Sequence, residues 1–256
     1  MIETGERGDA MIICDSHNHI LHNMASGAST VEEAVTMSRA LYAQGVHYAV
    51  VCPAFHHEQE TINRFIVRRN SALHELQRAF DVGEKRIKLI PSCEVSLDPE
   101  LISLPDLDKL LIPGTAFLPI SLSIPHFNDT EVGFISYLMH KRHILPYFVH
   151  LERYISFFDD EALDRLMSIK KAVFCLSARA LSEPSIVKKL PKYIFQGARI
   201  LPMTNAHNLC SMPPELRSEM LHIDGLYADK LYANMQKTSN AFFKPFLTSW
   251  RNNRLG

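Results

Sequence analysis

Asp15-Ser16-His17-Asn18-His19 closes the first apolar run of the chain, Met11-Ile12-Ile13-Cys14. Along an extended strand, positions 17 and 19 fall on the same side, so both imidazoles reach one point. Neutral imidazole suits manganese, iron and zinc, and two histidines at i, i+2 on a strand end can begin a divalent-metal site. Asp15 is placed to accept from one ring and orient it. The same spacing also occurs on polar strand ends that bind nothing, so the rest of the chain decides. Glu94 follows the apolar run Ile87 to Cys93, His150 follows Tyr147-Phe148-Val149, and His207 comes four residues after Met203. Each alone reads as a rim or capping residue; together with the histidine pair they point to a metal centre.

Such a centre needs several strands that end in one place. Apolar runs at 11–14, 46–52, 87–93, 115–122, 145–149, 172–176 and 199–203 are short enough for buried strands, and most are separated by segments of helical periodicity. In the first of these segments Ser29 or Thr30 caps a helix, Glu32 or Glu33 completes the box, and Gly45 ends it. A longer helix is predicted from about 58 to 80, carrying Arg64, Arg68 and Arg69. Alternating strands and helices imply an α/β fold whose parallel strands present the site at their C-terminal ends, in a barrel or an open sheet. The last ~45 residues read as helical, punctuated by Pro213-Pro214 and Pro245.

Composition narrows the partners. With 256 residues the chain suits one large domain, and a formal charge of −1 without basic runs gives a nucleic acid or membrane surface no electrostatic hold. No apolar run approaches the ~20 residues that span a bilayer, and Met1 to Glu6 lacks the regions of a signal peptide, so a cytoplasmic location is expected. Five scattered cysteines read as reduced thiols, and none begins a Cys-x5-Arg loop of a cysteine-nucleophile phosphatase.

Longer stretches carry a family resemblance. Asp15-x-His17-x-His19-Ile20-Leu21, Val31-Glu32-Glu33-Ala34, Ala43-Gln44-Gly45-Val46, Glu94, Pro146 to Tyr154 and Asn205-Ala206-His207-Asn208 with Pro213-Pro214 are the residues concerned. They resemble the bacterial manganese-dependent tyrosine phosphatases of capsule and exopolysaccharide synthesis, in the polymerase-and-histidinol-phosphatase (PHP) superfamily. The most specific part is His150-Leu151-Glu152-Arg153-Tyr154 after an apolar strand. The resemblance implies a distorted seven-stranded (β/α) barrel over residues 11–256, with residues 1–10 as an N-terminal extension and Met11 as an alternative start. It implies His17, His19, Glu94, His150 and His207 as metal ligands, with Arg153 and His207 as the groups that act on the phosphate. Arg153 also has the plainer reading of a surface ion-pair partner, and Glu152 that of a loop stabiliser paired with an arginine. The implied substrate is a phosphotyrosine-bearing protein, a bacterial tyrosine kinase, and assembly into an oligomer is left open.

The chain also departs from the family pattern. Ala54 stands where a ligand histidine is expected, Ser121 where a glutamate is, Asn205 where an aspartate is, and Ala25-Ser26 replace paired aspartates before Gly27. An amide oxygen such as that of Asn205 binds a divalent ion weakly, and His56 or His57 would have to shift to fill the vacancy at Ala54. A thiolate from Cys52 or Cys93 would move the preference toward zinc, whereas a buried thiol would simply fill space. What remains suits one or two divalent ions, manganese with iron or zinc as alternatives, better than three. Two functions follow: a metal-dependent phosphomonoesterase, altered by its missing ligands, or an inactive relative that acts as a binding or regulatory module.

Overall fold

The computed structural model describes residues 13–124, 127–221 and 228–252. Residues 1–10, expected to be an extension, and the alternative start at Met11 lie outside the described residues. Nine parallel strands form within them: β1 (Ile13–Asn18), β2 (Val46–Val51), β3 (Ala54–Phe55), β4 (Lys88–Pro91), β5 (Glu94–Ser96), β6 (Phe117–Ser121), β7 (Leu145–Phe148), β8 (Val173–Ser177) and β9 (Ile200–Met203). All seven apolar runs contain strand, and two of them are followed by a second short strand that lies beyond the run. The strand in 46–52 ends at Val51 and the chain resumes pairing at Ala54, because Pro53 has no N–H to give the ladder. The run 87–93 likewise ends at Pro91, and the chain re-enters the sheet at Glu94.

The breaks divide the strands into a sheet of order β1-β2-β4 and another of order β3-β5-β6-β7-β8-β9. Backbone bonds from Cys52 to Asn18, Ser92 to Val51 and Glu94 to Pro53, at 2.8, 2.9 and 3.0 Å, carry the pairing across them. At the other side Asn205 N–H donates to the His17 carbonyl at 3.0 Å, and His19 N–H to the Ala206 carbonyl at 2.8 Å. These bonds bring the segment after the last strand against the end of the first. The result is the α/β, barrel-type order of parallel strands expected from the alternation, with their C-terminal ends gathered on one side.

Alternation sorts the side chains. Ala49 and Val51 of β2 pack with the helices, whereas Tyr48 and Val50 join Cys14, Ile90, Tyr147, Cys175 and Leu201 in a second apolar cluster. Phe242 and Phe243 of the helix Ala228–Asn252 complete that cluster, against Tyr147 and Tyr48 respectively. Each buried phenylalanine stabilises by roughly 1.5–3 kcal/mol, which gives the final helix its place.

The first helix, Val31–Ala43, is capped by Thr30, whose hydroxyl accepts from Glu33 N–H, and Gly45 takes φ 85° just after it, as its sequence signals require. The second helix covers Ile62–Arg78 rather than 58–80. Residues 56–60 form a turn in which the His56 carbonyl accepts from Gln59 and Glu60, and Thr61 supplies the cap. Arg69 on this helix is buried and donates to the Ser92 carbonyl at 3.1 Å, an oxygen left without a strand partner by the break before Glu94.

Candidate metal centre

The end of β1 is fixed from beneath. The buried Asp15 carboxylate accepts from His17 N–H at 3.3 Å, Thr204 N–H at 2.9 Å, Thr204 hydroxyl at 2.7 Å and the Asn18 amide at 2.9 Å. Burial raises its pKa to about 6, against the pull of these donors. With its acceptor positions filled, Asp15 anchors the backbone of both segments and orients no imidazole, which corrects the role expected for it.

Above this anchor the rings converge. His17 Nε2 lies 3.0 Å from His19 Nε2, and Glu94 Oε2 lies 3.1 Å from the first and 3.3 Å from the second. His150 Nε2 approaches the other oxygen of Glu94 at 3.4 Å. His207 stacks on His19 with ring centres 4.2 Å apart, and its Nδ1 lies 2.6 Å from the Ser26 carbonyl oxygen, which directs Nε2 toward a ligand role. All five residues named as ligands from the sequence therefore meet in one place.

Charge in the cluster suits a cation. Burial lowers the pKa of His17 and brings His19 and His207 down to about 4, so all three imidazoles are neutral at pH 7. Burial would raise Glu94, but its contacts with His150, His17 and His19 hold it well below the usual carboxylate range. Burial would lower His150, but Glu152 and Glu94 outweigh it and raise the ring to about 9. Neutral imidazoles at His17, His19 and His207 around the ionised Glu94 are what metal binding demands, whereas His150, protonated at pH 7 in the empty cluster, would have to release its proton to join them. Two imidazole nitrogens 3.0 Å apart on one carboxylate oxygen cannot both donate without turning hydrogens against each other, and the buried Nδ1 atoms of His17 and His19 have no partner. A divalent ion held by His17, His19 and Glu94, whose ligand atoms lie within 4.8 Å of one another, removes that conflict. Asn205, whose N–H bonds the His17 carbonyl, carries a buried side-chain oxygen without a hydrogen-bond partner.

The backbone is strained at both flanks. His150 adopts φ 62°, ψ 43° and Asn205 φ 52°, left-handed conformations that cost a side-chain-bearing residue about 1–3 kcal/mol. Glu152 helps hold the first: Oε2 accepts from Ser177 N–H at 3.0 Å, and Oε1 lies 3.6 Å from His150 Nδ1. Among the described residues it pairs with this histidine and not with an arginine, correcting the expectation from sequence. Replacing it by glutamine should preserve the Ser177 bond but weaken metal affinity about 10–100-fold, read by competition with a coloured chelator. Unchanged affinity would reduce Glu152 to a loop tie.

The remaining sequence candidates fall outside the cluster. His57 Nε2 lies 3.0 Å from Asp98 Oδ2 and His56 Nδ1 lies 3.8 Å from Glu58 Oε1, so neither replaces the missing ligand. The reason is register. Ala54 itself pairs with Glu94, and both histidines lie beyond it in the turn after β3. Cys52 and Cys93 are buried thiols whose pKa values burial pushes up, to about 12 for Cys93, so neither offers a thiolate. Tyr154 is buried and its hydroxyl accepts from Leu122 N–H at 2.9 Å, which fixes the loop after β6. Arg153 is exposed, forms no salt bridge among the described residues, and lines a cleft of about 700 Å³ with Ser96, Ser121, Leu122, Ser123, Ile124 and Phe157.

The family model described as capsular polysaccharide synthesis, CpsB/CapC, matches residues 13–241. The chain belongs to the CpsB/CapC family. Its fold is similar to a solved structure from work on YwqE of Bacillus subtilis and CpsB of Streptococcus pneumoniae, described as metal-dependent tyrosine phosphatases. That match has 18% identity and a TM-score of 0.66, covering 82% of this chain and 85% of the other. A histidinol phosphate phosphatase from Lactococcus lactis, solved with zinc, L-histidinol and phosphate, matches at 12% identity and a TM-score of 0.51, covering 90% of this chain and 94% of the other. No curated protein sequence matches. Among the described residues no helix is long and apolar enough to cross a membrane. Within this CpsB/CapC chain, Ala54 stands beside Glu94 and Ser121 beside Ser96, so a methyl and a hydroxyl occupy the positions where the family resemblance led us to expect ligands.

Proposed function

We propose that this CpsB/CapC chain is a cytoplasmic, metal-dependent phosphomonoesterase that removes phosphate from tyrosine on a protein, a bacterial tyrosine kinase being the intended substrate. The observation that carries this reading is the convergence of His17 Nε2, His19 Nε2 and Glu94 Oε2 within 3.0–3.3 Å, with His150 and His207 against them. When bound there, a divalent ion supplies the positive charge that makes water acidic near neutral pH and polarises a phosphoryl oxygen.

The chain's own residues do the rest. His17, His19, Glu94, His150 and His207 would hold the ion, and manganese is the ion we assign, at one per chain. Glu152 keeps His150 turned toward Glu94, and the Ser26 carbonyl does the same for His207. Arg153, three residues past His150 and unpaired by any carboxylate among the described residues, offers the planar fork that grips phosphate oxygens.

Purified protein should hydrolyse a phosphotyrosine peptide when manganese is supplied, lose that activity with a chelator, and regain it on readdition. It should leave a phosphoserine peptide largely untouched. An absence of hydrolysis with manganese, iron or zinc, while a kinase partner still binds, would establish the other reading: a binding module. Ala54 beside Glu94 is the observation that favours that second reading, because it leaves a neighbouring strand without a ligand.

A further inference from the structure

The cleft beside the histidine cluster has a composition of its own. Glu94 and Ser96 alternate along β5 and so share a side, and Ser121 of β6 is the register partner of Ser96. The cleft is thus a continuation of the metal centre along the same strand. Arg153 N–H donates to the His150 carbonyl at 2.9 Å, placing the arginine one turn from a ligand. Arg153 and Phe157 stand at i, i+4 on the helix Leu151–Phe157 and form the facing wall.

The lining residues contain one cation, three hydroxyls and no carboxylate. Ser121 Oγ has only a 3.5 Å contact with the Val95 carbonyl, and Ser96 and Ser123 are exposed. A manganese or magnesium ion is a hard cation that binds through anionic oxygens, and this side of the site provides none. An anion meets the reverse: a guanidinium whose donors match phosphate and hydroxyls that can turn to donate. At about 700 Å³ the cleft has room for a phosphate and the organic group it esterifies, with the 61%-exposed Phe157 ring as an apolar rim.

We propose that this cleft is an anion site in which Arg153, Ser96, Ser121 and Ser123 take the phosphate group directly, in place of a second metal ion. The inference rests on the phosphomonoesterase reading above. It makes the protein a one-ion enzyme in which a guanidinium and hydroxyls bear the charge that a second cation would otherwise bear.

The test is calorimetric titration of inorganic phosphate and phenyl phosphate into chelator-treated protein, run for the wild type, Ser121→Ala, Ser121→Glu and Arg153→Gln. Thermal unfolding of each variant checks the fold. Metal-free wild type should bind both anions, more weakly as salt rises. Arg153→Gln should lose about tenfold or more, and Ser121→Ala a smaller factor, about threefold. Ser121→Glu should abolish anion binding and raise manganese content by one ion per chain. Anion binding that begins only when manganese is added would overturn the proposal, as would a folded Ser121→Glu variant that binds phosphate like the wild type. Failure of the two ideas is separable. Metal-free anion binding without hydrolysis in manganese would remove the enzymatic reading and leave the anion site. Hydrolysis with two ions per chain and no metal-free anion binding would do the opposite.

Discussion

Glu94→Gln should leave the protein folded, empty of metal after dialysis, and slower in phosphotyrosine hydrolysis by on the order of 10³-fold, or about 4 kcal/mol of transition-state stabilisation. Glu94 is the carboxylate on which three histidines converge, at 3.1 Å for His17, 3.3 Å for His19 and 3.4 Å for His150. Glutamine has the same length and removes only the charge. Its amide cannot hold a divalent ion as a carboxylate does, and its NH2 donors face nitrogens now obliged to accept. The neighbouring geometry should survive, because Glu94 N–H keeps its bond to the Pro53 carbonyl and Asp15 holds β1 independently. Metal analysis and peptide hydrolysis on the same preparation decide the matter. A glutamine variant that retains both metal and turnover would move the chemistry away from this cluster.

That the cluster could be found from sequence follows from where its members sit. His17, His19, His150 and His207 each lie at a strand's C-terminal end or just beyond, Glu94 follows the end of β4 and opens β5, and parallel α/β architecture gathers those ends. Apolar runs marked the strands because buried parallel strands are apolar on both faces. Less legible were the groups whose role depends on contacts between distant segments. Glu152 lies beside His150 in sequence, but that it faces this ring and Ser177, not an arginine, is set by the left-handed turn at His150. The Ser26 carbonyl that steers His207 is backbone, and backbone carries no residue signature. The spacing of Asp15 allows it to accept from a ring, but Thr204, 189 positions away, claims both of its oxygens. The short strands β3 and β5 lie past the ends of the apolar runs 46–52 and 87–93, and two or three residues of strand are too few to leave an apolar pattern of their own.

Gly27→Ala should lower stability by about 3 kcal/mol, roughly 6–12 °C in Tm for a chain of this size, and should also weaken metal binding. A methyl at Gly27 would lie 1.9 Å from the Leu21 carbonyl oxygen and 3.1 Å from that of His19. The first contact is backbone, so no side chain can swing away, and the segment must move by more than an ångström. It cannot move at the expense of its neighbour, because Ile20 and Leu21 are fully buried in the core. The adjustment therefore falls on the loop, whose Ser26 carbonyl holds His207 Nδ1 at 2.6 Å. Release of that ring is what couples a steric change to the metal. Gly133→Ala offers the opposite case: it lies in the helix Asp129–Lys141 with nothing within 4 Å of its added methyl, and alanine there should stabilise by about 0.5–1 kcal/mol through the unfolded chain. Thermal unfolding of the two variants, with metal titrated into each, compares them directly. Equal behaviour would mean that the loop carrying Ser26 yields freely and that His207 is not held by it.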